Sequence, residues 1–484
     1  MKDTAIYGVS SIVGRFLNWC LVPMYTYIFS AAEYGLVTNI YAYIALILII
    51  LTYGMETGFF RFANHERWNN PTQVYTTSLI SIGATSMTFI IAACALSPHI
   101  AAWLGCADHP SYIWMMVIAV GLDAYTSIPF AYLRYKKRPM RFATLKFINI
   151  GLNIGLNLFF LVLCPIIWKS HPEAIGWFYQ PNFGVGYIFL SNMISSLAML
   201  LLLTPELRQS YSFNFKLLKE MLRYSFPLLI LGVAGIMNQT IDKILFPILY
   251  DDQAEAQAQL GIYGACYKIA IVMVMFIQAF RFAYEPFIFD QAKNAGVDKK
   301  QSYADAMKYF VIFSLVIFLG VMFYLNIIKY FISPRYFEGL KVVPIIMAAE
   351  LFFGIFFNLS LWYKLTDRTI WGTIFSVGGL AITLTLNTLF VPKFGYMACA
   401  WAAFACYGAM MAASYFVGRK YYPIDYQLGR IGMYVAIAAG AYVLGMYCPT
   451  PWEWLNYAVK TLLLIGFAAM VVYKEKPHRI IRRG

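Results

Sequence analysis

Apolar runs of about 20 residues, the length that crosses a hydrocarbon layer as a helix, recur fourteen times along this sequence of 484 residues. They lie near 4–28, 36–58, 73–97, 110–133, 142–165, 184–204, 225–249, 260–283, 305–331, 338–361, 369–391, 396–417, 430–448 and 453–473. The pattern predicts an all-α integral membrane protein with about 14 transmembrane helices, and no connection is long enough to form a soluble domain. The longest external connection, 166–183, is rich in Trp and Tyr and is expected at the membrane interface.

Composition sharpens this picture. Charged residues make up 12% of the chain and hydrophobic ones 61%, about half the charged share of a soluble domain. A formal net charge of +14 and a pI near 9.2 raise the question of nucleic acid. The placement of the basic residues answers it. With the N-terminus inside, 27 of the 37 Lys and Arg fall in cytoplasmic loops and tails. Only Lys169, Lys329, Arg335, Lys341 and Lys393 lie opposite, and Arg15, Lys146, Lys243, Lys268 and Lys460 lie within spans. This is a topology signal that puts both termini in the cytoplasm, with no nucleic acid as partner. The densest basic cluster, YKKRPMR at 135–141, reads as a topology anchor against anionic lipid.

The eight cysteines are scattered without a CxxC pair and read as small apolar residues. The five histidines all fall in or beside loops, so neither a metal site nor an intramembrane histidine relay is expected. The first apolar run contains Arg15 and lacks a small-residue cleavage site, which marks a retained span.

The informative polar positions are the charges inside spans seven and eight, within 224–287. Asp242 and Lys268 each lie about 12 Å below the same membrane face at the helical rise, which allows an ion pair between the two helices. Asn238 precedes Asp242 by one turn on the same face. Charges in hydrocarbon face a bundle interior or a wet cavity. Two readings follow: a polar wall lining a cavity, or a buried pair that fixes helix register. Asp123 and Glu350 are further mid-span acids, and Glu56 is expected to pair with Arg61 near the cytoplasmic end.

Matching fragments recur in order along the two halves. EYG (33–35) and FRFA (60–63) are followed by IYG (262–264) and FRFA (280–283). YKKRPMRFATL and YKLTDRTIWGT precede spans five and eleven, which share LNLFFL (156–161) and LNTLFV (386–391). FGVGY (183–187) and FGY (394–396) precede spans six and twelve. This implies two pseudo-symmetric six-helix lobes, 1–210 and 211–425, followed by 426–484 with spans thirteen and fourteen and a basic tail. Because both lobes begin inside, the repeat axis runs along the membrane normal.

SFPLLILG with NQTIDKIL (238–245), GIYGACYKIA (261–270), FRFAYEPF (280–287), WYKLTDRT (362–369), LFVPKFGYMACAWA (389–402) and TYGMETGFFRF (52–62) resemble bacterial polysaccharide transporters of the O-antigen flippase type. The resemblance implies the fold of multidrug and toxic compound extrusion (MATE) transporters, in a bacterial inner membrane. It also implies the usual activity, moving an undecaprenyl-pyrophosphate-linked oligosaccharide from the cytoplasmic to the periplasmic leaflet. Polysaccharide-assembly proteins are the further partners it brings, and no cofactor is implied.

Such a cargo needs cations for its pyrophosphate. Arg15, about 16 Å deep at the helical rise, is the first candidate, since its planar fork grips two phosphate oxygens. The competing reading pairs it with Asp123. Lys268 and Lys243 are second candidates, Lys243 being shallow enough to snorkel. Asp242, Asp123 and Glu350 are candidates for a coupling proton or sodium ion. Pro23, Pro129, Pro227, Pro247 and Gly354 are candidate bending points for rocking of the lobes. The alternatives are a cation-coupled drug or metabolite exporter on the same fold and a membrane-embedded polymerase or acyltransferase. An enzyme would need a positioned acid, base or nucleophile that no loop cluster here supplies.

Overall fold

The structure is a computed structural model and describes residues 2–64, 68, 70–250, 252–293, 299–447 and 452–475, with the side chains of 2–7, 9, 11 and 285–299 left aside. His65, His478, Cys448 and the basic tail beyond Glu475 therefore lie outside the described residues. Among the described residues all regular structure is helical. Twelve helices are long and apolar enough to cross a membrane. Two more complete the fourteen: Gly186–Leu202, a shorter apolar helix, and the first span, which is Lys2–Trp19 followed by Val22–Ile28. The first span breaks at Cys20 and Leu21, just ahead of Pro23, where a missing N–H costs nothing at a new helix start.

Local sequence sets the ends. The second span starts at Ser30, whose hydroxyl accepts the Glu33 N–H while the Glu33 carboxylate accepts the Ser30 N–H at 2.8 Å. A reciprocal cap of this kind is worth about 1 kcal/mol. Its first helix, Ala31–Thr52, ends where Tyr53 (φ 31°) and Gly54 (φ 69°) turn left-handed, and Met55–Ala63 continues the span. Asn214 caps the seventh span, Phe215–Leu249, accepting from the N–H groups of Lys216 and Leu217. Pro129, Pro227 and Pro247 lie inside helices. Gly354 has a different role from bending: a Cβ there would stand 2.3 Å from Phe310, so it exists for close packing.

The chain forms two compact units, 1–265 with 380–399, and 266–379 with 400–484. Span eight passes from the first to the second at Ala265. In the first unit the fourth span, Pro110–Tyr135, is the most enclosed, with the second, third, fifth and sixth packed about it. The lobes expected from the repeat divide the chain differently, and their symmetry remains a proposal.

Spans two and eight meet backbone to backbone inside the first unit. A Cβ on Gly35 would lie 1.8 Å from the Gln257 carbonyl oxygen, and one on Gly261 would lie 1.9 Å from that of Ala31. Gly264 faces the Thr38 hydroxyl in the same way at 2.7 Å. No side chain fits at these positions. Small residues allow this approach, and in a membrane the resulting van der Waals contact is what holds helices together. The Gly35–Gln257 and Gly261–Ala31 contacts exchange when residue n is replaced by n + 226, and Thr38 faces Gly264 at that same offset, so AAEYGLVT (31–38) stands against QAQLGIYG (257–264) around a local two-fold. That register matches Gly35 to Gly261, three residues away from the EYG and IYG alignment. The FRFA fragments lie six residues outside it.

In the second unit the C-terminal hairpin, Leu428–Tyr447 and Glu453–Lys474, is fastened by Glu475. Its carboxylate takes Lys308 Nζ at 2.7 Å and the Tyr434 hydroxyl at 2.8 Å. Lys308 lies buried in the helix Lys299–Phe323 and also meets Asp305 at 3.3 Å. Burial alone would raise the Glu475 carboxyl, but the Lys308 ammonium and Tyr434 hydroxyl outweigh it and hold it below its ordinary range.

Two outcomes follow. Gly261→Val forces the helices apart and lowers stability by about 1–3 kcal/mol, as overpacking does. Gly235→Val, where a Cβ meets nothing within 4 Å, leaves the melting temperature unchanged. Equal melting of both variants in nanodiscs would contradict the contact. Glu475→Gln lowers the melting temperature, and the wild-type advantage over it disappears on acidification. A group with a depressed carboxyl pKa contributes stability above the ordinary carboxylate range and loses it as pH falls through the folded value. A constant difference across that range would show that the latch is not ionic.

Candidate functional site

The first unit contains a cavity of about 460 Å³ between spans two, four, five and six. Four ionisable side chains line it: Glu56, Asp123, Arg134 and Lys146, with Thr52, Thr126, Ser127 and Asn149 between them. The left-handed turn at Tyr53 and Gly54 places Glu56 in the first turn of Met55–Ala63, and the Tyr53 hydroxyl fixes that turn by bonding Ser81 Oγ at 2.7 Å. Glu56 pairs with Arg134 from the end of span four, whose guanidinium also lies over Phe60 and Phe142. The expected Glu56–Arg61 pair is thereby corrected. Residues five apart lie on different faces of a helix, and Arg61 instead lies over the Tyr224 ring, 4.1 Å from its centroid.

Asp123 is open to this cavity and accepts a hydrogen bond from Ser196 Oγ at 2.8 Å. Lys146 of span five lines the same cavity, and its Nζ lies 4.1 Å over Phe130. Arg15, the first candidate for phosphate, is exposed on the first span, which packs against the fifth. The cavity therefore contains two acids and two bases, each cation resting on an aromatic ring. Such a set can meet anionic oxygens or a small cation by exchanging partners.

A second polar cluster lies beside the glycine crossing. Asp242, buried in span seven, is held by its chain neighbour Lys243, whose Nζ is 3.1 Å from both carboxylate oxygens. Its other donor is the Tyr263 hydroxyl of span eight, at 2.7 Å. Lys243 also donates to the Gln239 carbonyl at 3.0 Å, while the Asn39 amide of span two donates to the Lys243 carbonyl at 2.7 Å. The lysine paired with Asp242 is thus Lys243, turned inward by two acceptors within one helical turn, instead of snorkelling. Lys268, the partner expected from equal depth, belongs to the second unit. Asn238 is buried one turn before Asp242. In the second unit Glu350 is buried and accepts the Tyr267 hydroxyl at 2.7 Å, and Lys268 follows Tyr267 half-buried.

The structure thus brings Asp123 together with three groups that the sequence did not mark as site residues, Glu56, Arg134 and Lys146. Lys146 was visible as a mid-span charge, whereas Arg134 looked like a topology residue. Tyr263, Asn39 and Ser196 gave no signal, since uncharged polar residues are common in spans. Among the described residues no group of His, Cys, Asp or Glu forms a metal site.

Fold and cavity define a polytopic membrane protein with the architecture of the MATE transporters. An inward-facing multidrug resistance MATE family transporter of the MOP superfamily superposes with a TM-score of 0.67 at 12% identity, over 84% of this chain and 94% of that one. The lipid II flippase MurJ in an inward closed conformation gives a TM-score of 0.73 at 13% identity, over 98% and 99% of the two chains. At such identities the likeness is one of fold. No curated protein matches the sequence. Residues 1–290 match the family described as polysaccharide biosynthesis protein, and the chain belongs to that family.

The Glu56–Arg134 pair of the cavity predicts a measurable coupling. Both members of the Glu56–Arg134 pair are about a third open or more, so screening keeps their interaction near 1 kcal/mol. A double-mutant cycle of Glu56→Gln and Arg134→Gln on thermal stability gives that coupling. A coupling of zero would show that the two side chains do not act on each other.

Proposed function

We propose that this protein is a flippase, carrying an undecaprenyl-pyrophosphate-linked oligosaccharide from the cytoplasmic to the periplasmic leaflet by alternating access. The observation that carries the reading is the ionic cavity of about 460 Å³ inside an apolar bundle, in a chain of a polysaccharide biosynthesis family. Moving a pyrophosphate and a hydroxyl-rich glycan across hydrocarbon takes a wet, charged passage, while the prenyl tail stays in lipid. Arg134 and Lys146 are the cations that the cavity itself offers to phosphate, and Arg134 gives up its Glu56 partner in exchange. Arg15, Lys268 and Lys243 remain candidates along the path, with Asn238 beside them. Asp123, Asp242 and Glu350 are the carboxylates available to a coupling proton or sodium ion. Both termini lie in the cytoplasm in this reading, by the distribution of Lys and Arg.

A second reading, cation-coupled export of a drug or metabolite, draws on one observation: Asp123 opens onto the cavity beside Ser196, as a cation-binding carboxylate would. Deletion separates the two. The flippase reading predicts cytoplasm-facing lipid-linked oligosaccharide that accumulates in the deletion strain and clears with the wild-type gene. Lys146→Ala and Arg15→Ala clear it at least tenfold more slowly. Absence of any accumulation would favour export, and full rescue by either variant would remove that residue from the path.

A further inference from the structure

A second cavity, of about 490 Å³, lies toward the opposite end of span two from the charged one, between spans two and seven and the connection after span three. Asn39 and Glu56, on the two cavities, are seventeen residues apart along this span, about 25 Å at the helical rise. The two cavities differ in chemistry. Among the described residues no carboxylate, lysine, arginine or histidine lines the second; its polar and aromatic groups are Asn39, Tyr43, Trp103, Tyr250 and Gln253.

Three observations mark it as a built site. Trp103 and Tyr43 meet edge to face at 5.5 Å, and the Gln253 amide donates to the Trp103 carbonyl at 3.4 Å, so the aromatic wall is held from two sides. Trp103 nevertheless leaves 55% of its surface uncovered. Among the described residues, neither the Tyr43 hydroxyl nor the Trp103 indole N–H has a hydrogen-bond partner. Asn39 is only 1% exposed and lines the cavity, and its amide N–H is committed to the Lys243 carbonyl, which fixes the side chain against span seven.

We propose that this cavity is a binding site for neutral sugar residues of the transported glycan, on the side where it is released. The assignment rests on the flippase reading and its orientation. Aromatic faces take the apolar face of a sugar ring, while amides, a phenol and an indole N–H take its hydroxyls. A pyrophosphate gains nothing where no described residue supplies a cation, and an acyl chain would leave these polar groups unmet. The volume falls in the range of small-molecule sites. Because Asn39 holds the carbonyl of Lys243, a sugar seated here reaches the Asp242 cluster through one hydrogen bond.

The test uses the full-length protein in nanodiscs and isothermal calorimetry. The probe is the oligosaccharide released by mild acid from the lipid-linked material of the deletion strain. Wild type binds it, Trp103→Leu binds at least tenfold more weakly, and Tyr43→Phe about threefold more weakly. Trp103 lies at the surface, and Tyr43→Phe keeps the ring, so a size-exclusion profile matching wild type confirms folding of each variant. Unchanged affinity in both variants, or no binding to wild type, overturns the site. Heat from glycerophosphoethanolamine but not from the oligosaccharide, lost in Trp103→Leu, would make it a lipid headgroup site and also overturn the proposal. Accumulation of lipid-linked oligosaccharide in the deletion strain tests the flippase reading separately, so the two can fail independently.

Discussion

Two glycines facing carbonyls across a helix crossing are the constraint on which the first unit depends. At Gly35 and Gly261 the backbones of spans two and eight leave no room for a Cβ. The approach sets everything next to it. Tyr263, beside Gly264, reaches the Asp242 carboxylate, and Asn39, beside Thr38, reaches the Lys243 carbonyl. A helix pair one side chain further apart would break both bonds and leave a carboxylate in hydrocarbon with one donor fewer. Packing and electrostatics are therefore one problem here: contact without side chains brings the polar groups into bonding range, and those groups in turn disfavour separation.

Several of the charges are held by named partners. Asp242 has Lys243 and a tyrosine, Glu350 has a tyrosine, Lys308 has Glu475, and Glu56 has Arg134. Breaking one partner away from a buried pair costs more than the pair contributes. The Glu56–Arg134 pair of the charged cavity differs from the rest in being open. Glu56 and Arg134 are partly uncovered and Asp123 is exposed to the cavity, so an arriving ligand can replace a partner without first unpacking the core. That difference is what separates a site from a staple in this chain.

Much of the architecture was legible beforehand because hydrocarbon enforces it. A span must be long, apolar and helical, so the twelve helices able to cross a membrane could be read from one sequence. Pairings between spans were less legible. Depth suggested Lys268 for Asp242, but the adjacent Lys243 reaches the same carboxylate by folding its own chain back. Spacing suggested Arg61 for Glu56, but a left-handed turn at Tyr53 and Gly54 aims Glu56 at Arg134. The Lys308–Glu475 pair could not be read, since its members lie 167 positions apart in sequence. The glycine register around Gly35 and Gly261 differs from the fragment match by three residues, since the match followed aromatic letters and the contact follows the absence of side chains.

The central claim is that the charged cavity is a water-filled passage for the glycan head group. Labelling of Ser127→Cys by a membrane-impermeant maleimide, in a cysteine-free background, addresses it most directly. The account predicts rapid labelling from the cytoplasmic side in inverted vesicles and protection when lipid-linked oligosaccharide is supplied. A cysteine that stays unlabelled from both sides, or that labels at the same rate with and without that lipid, would contradict it.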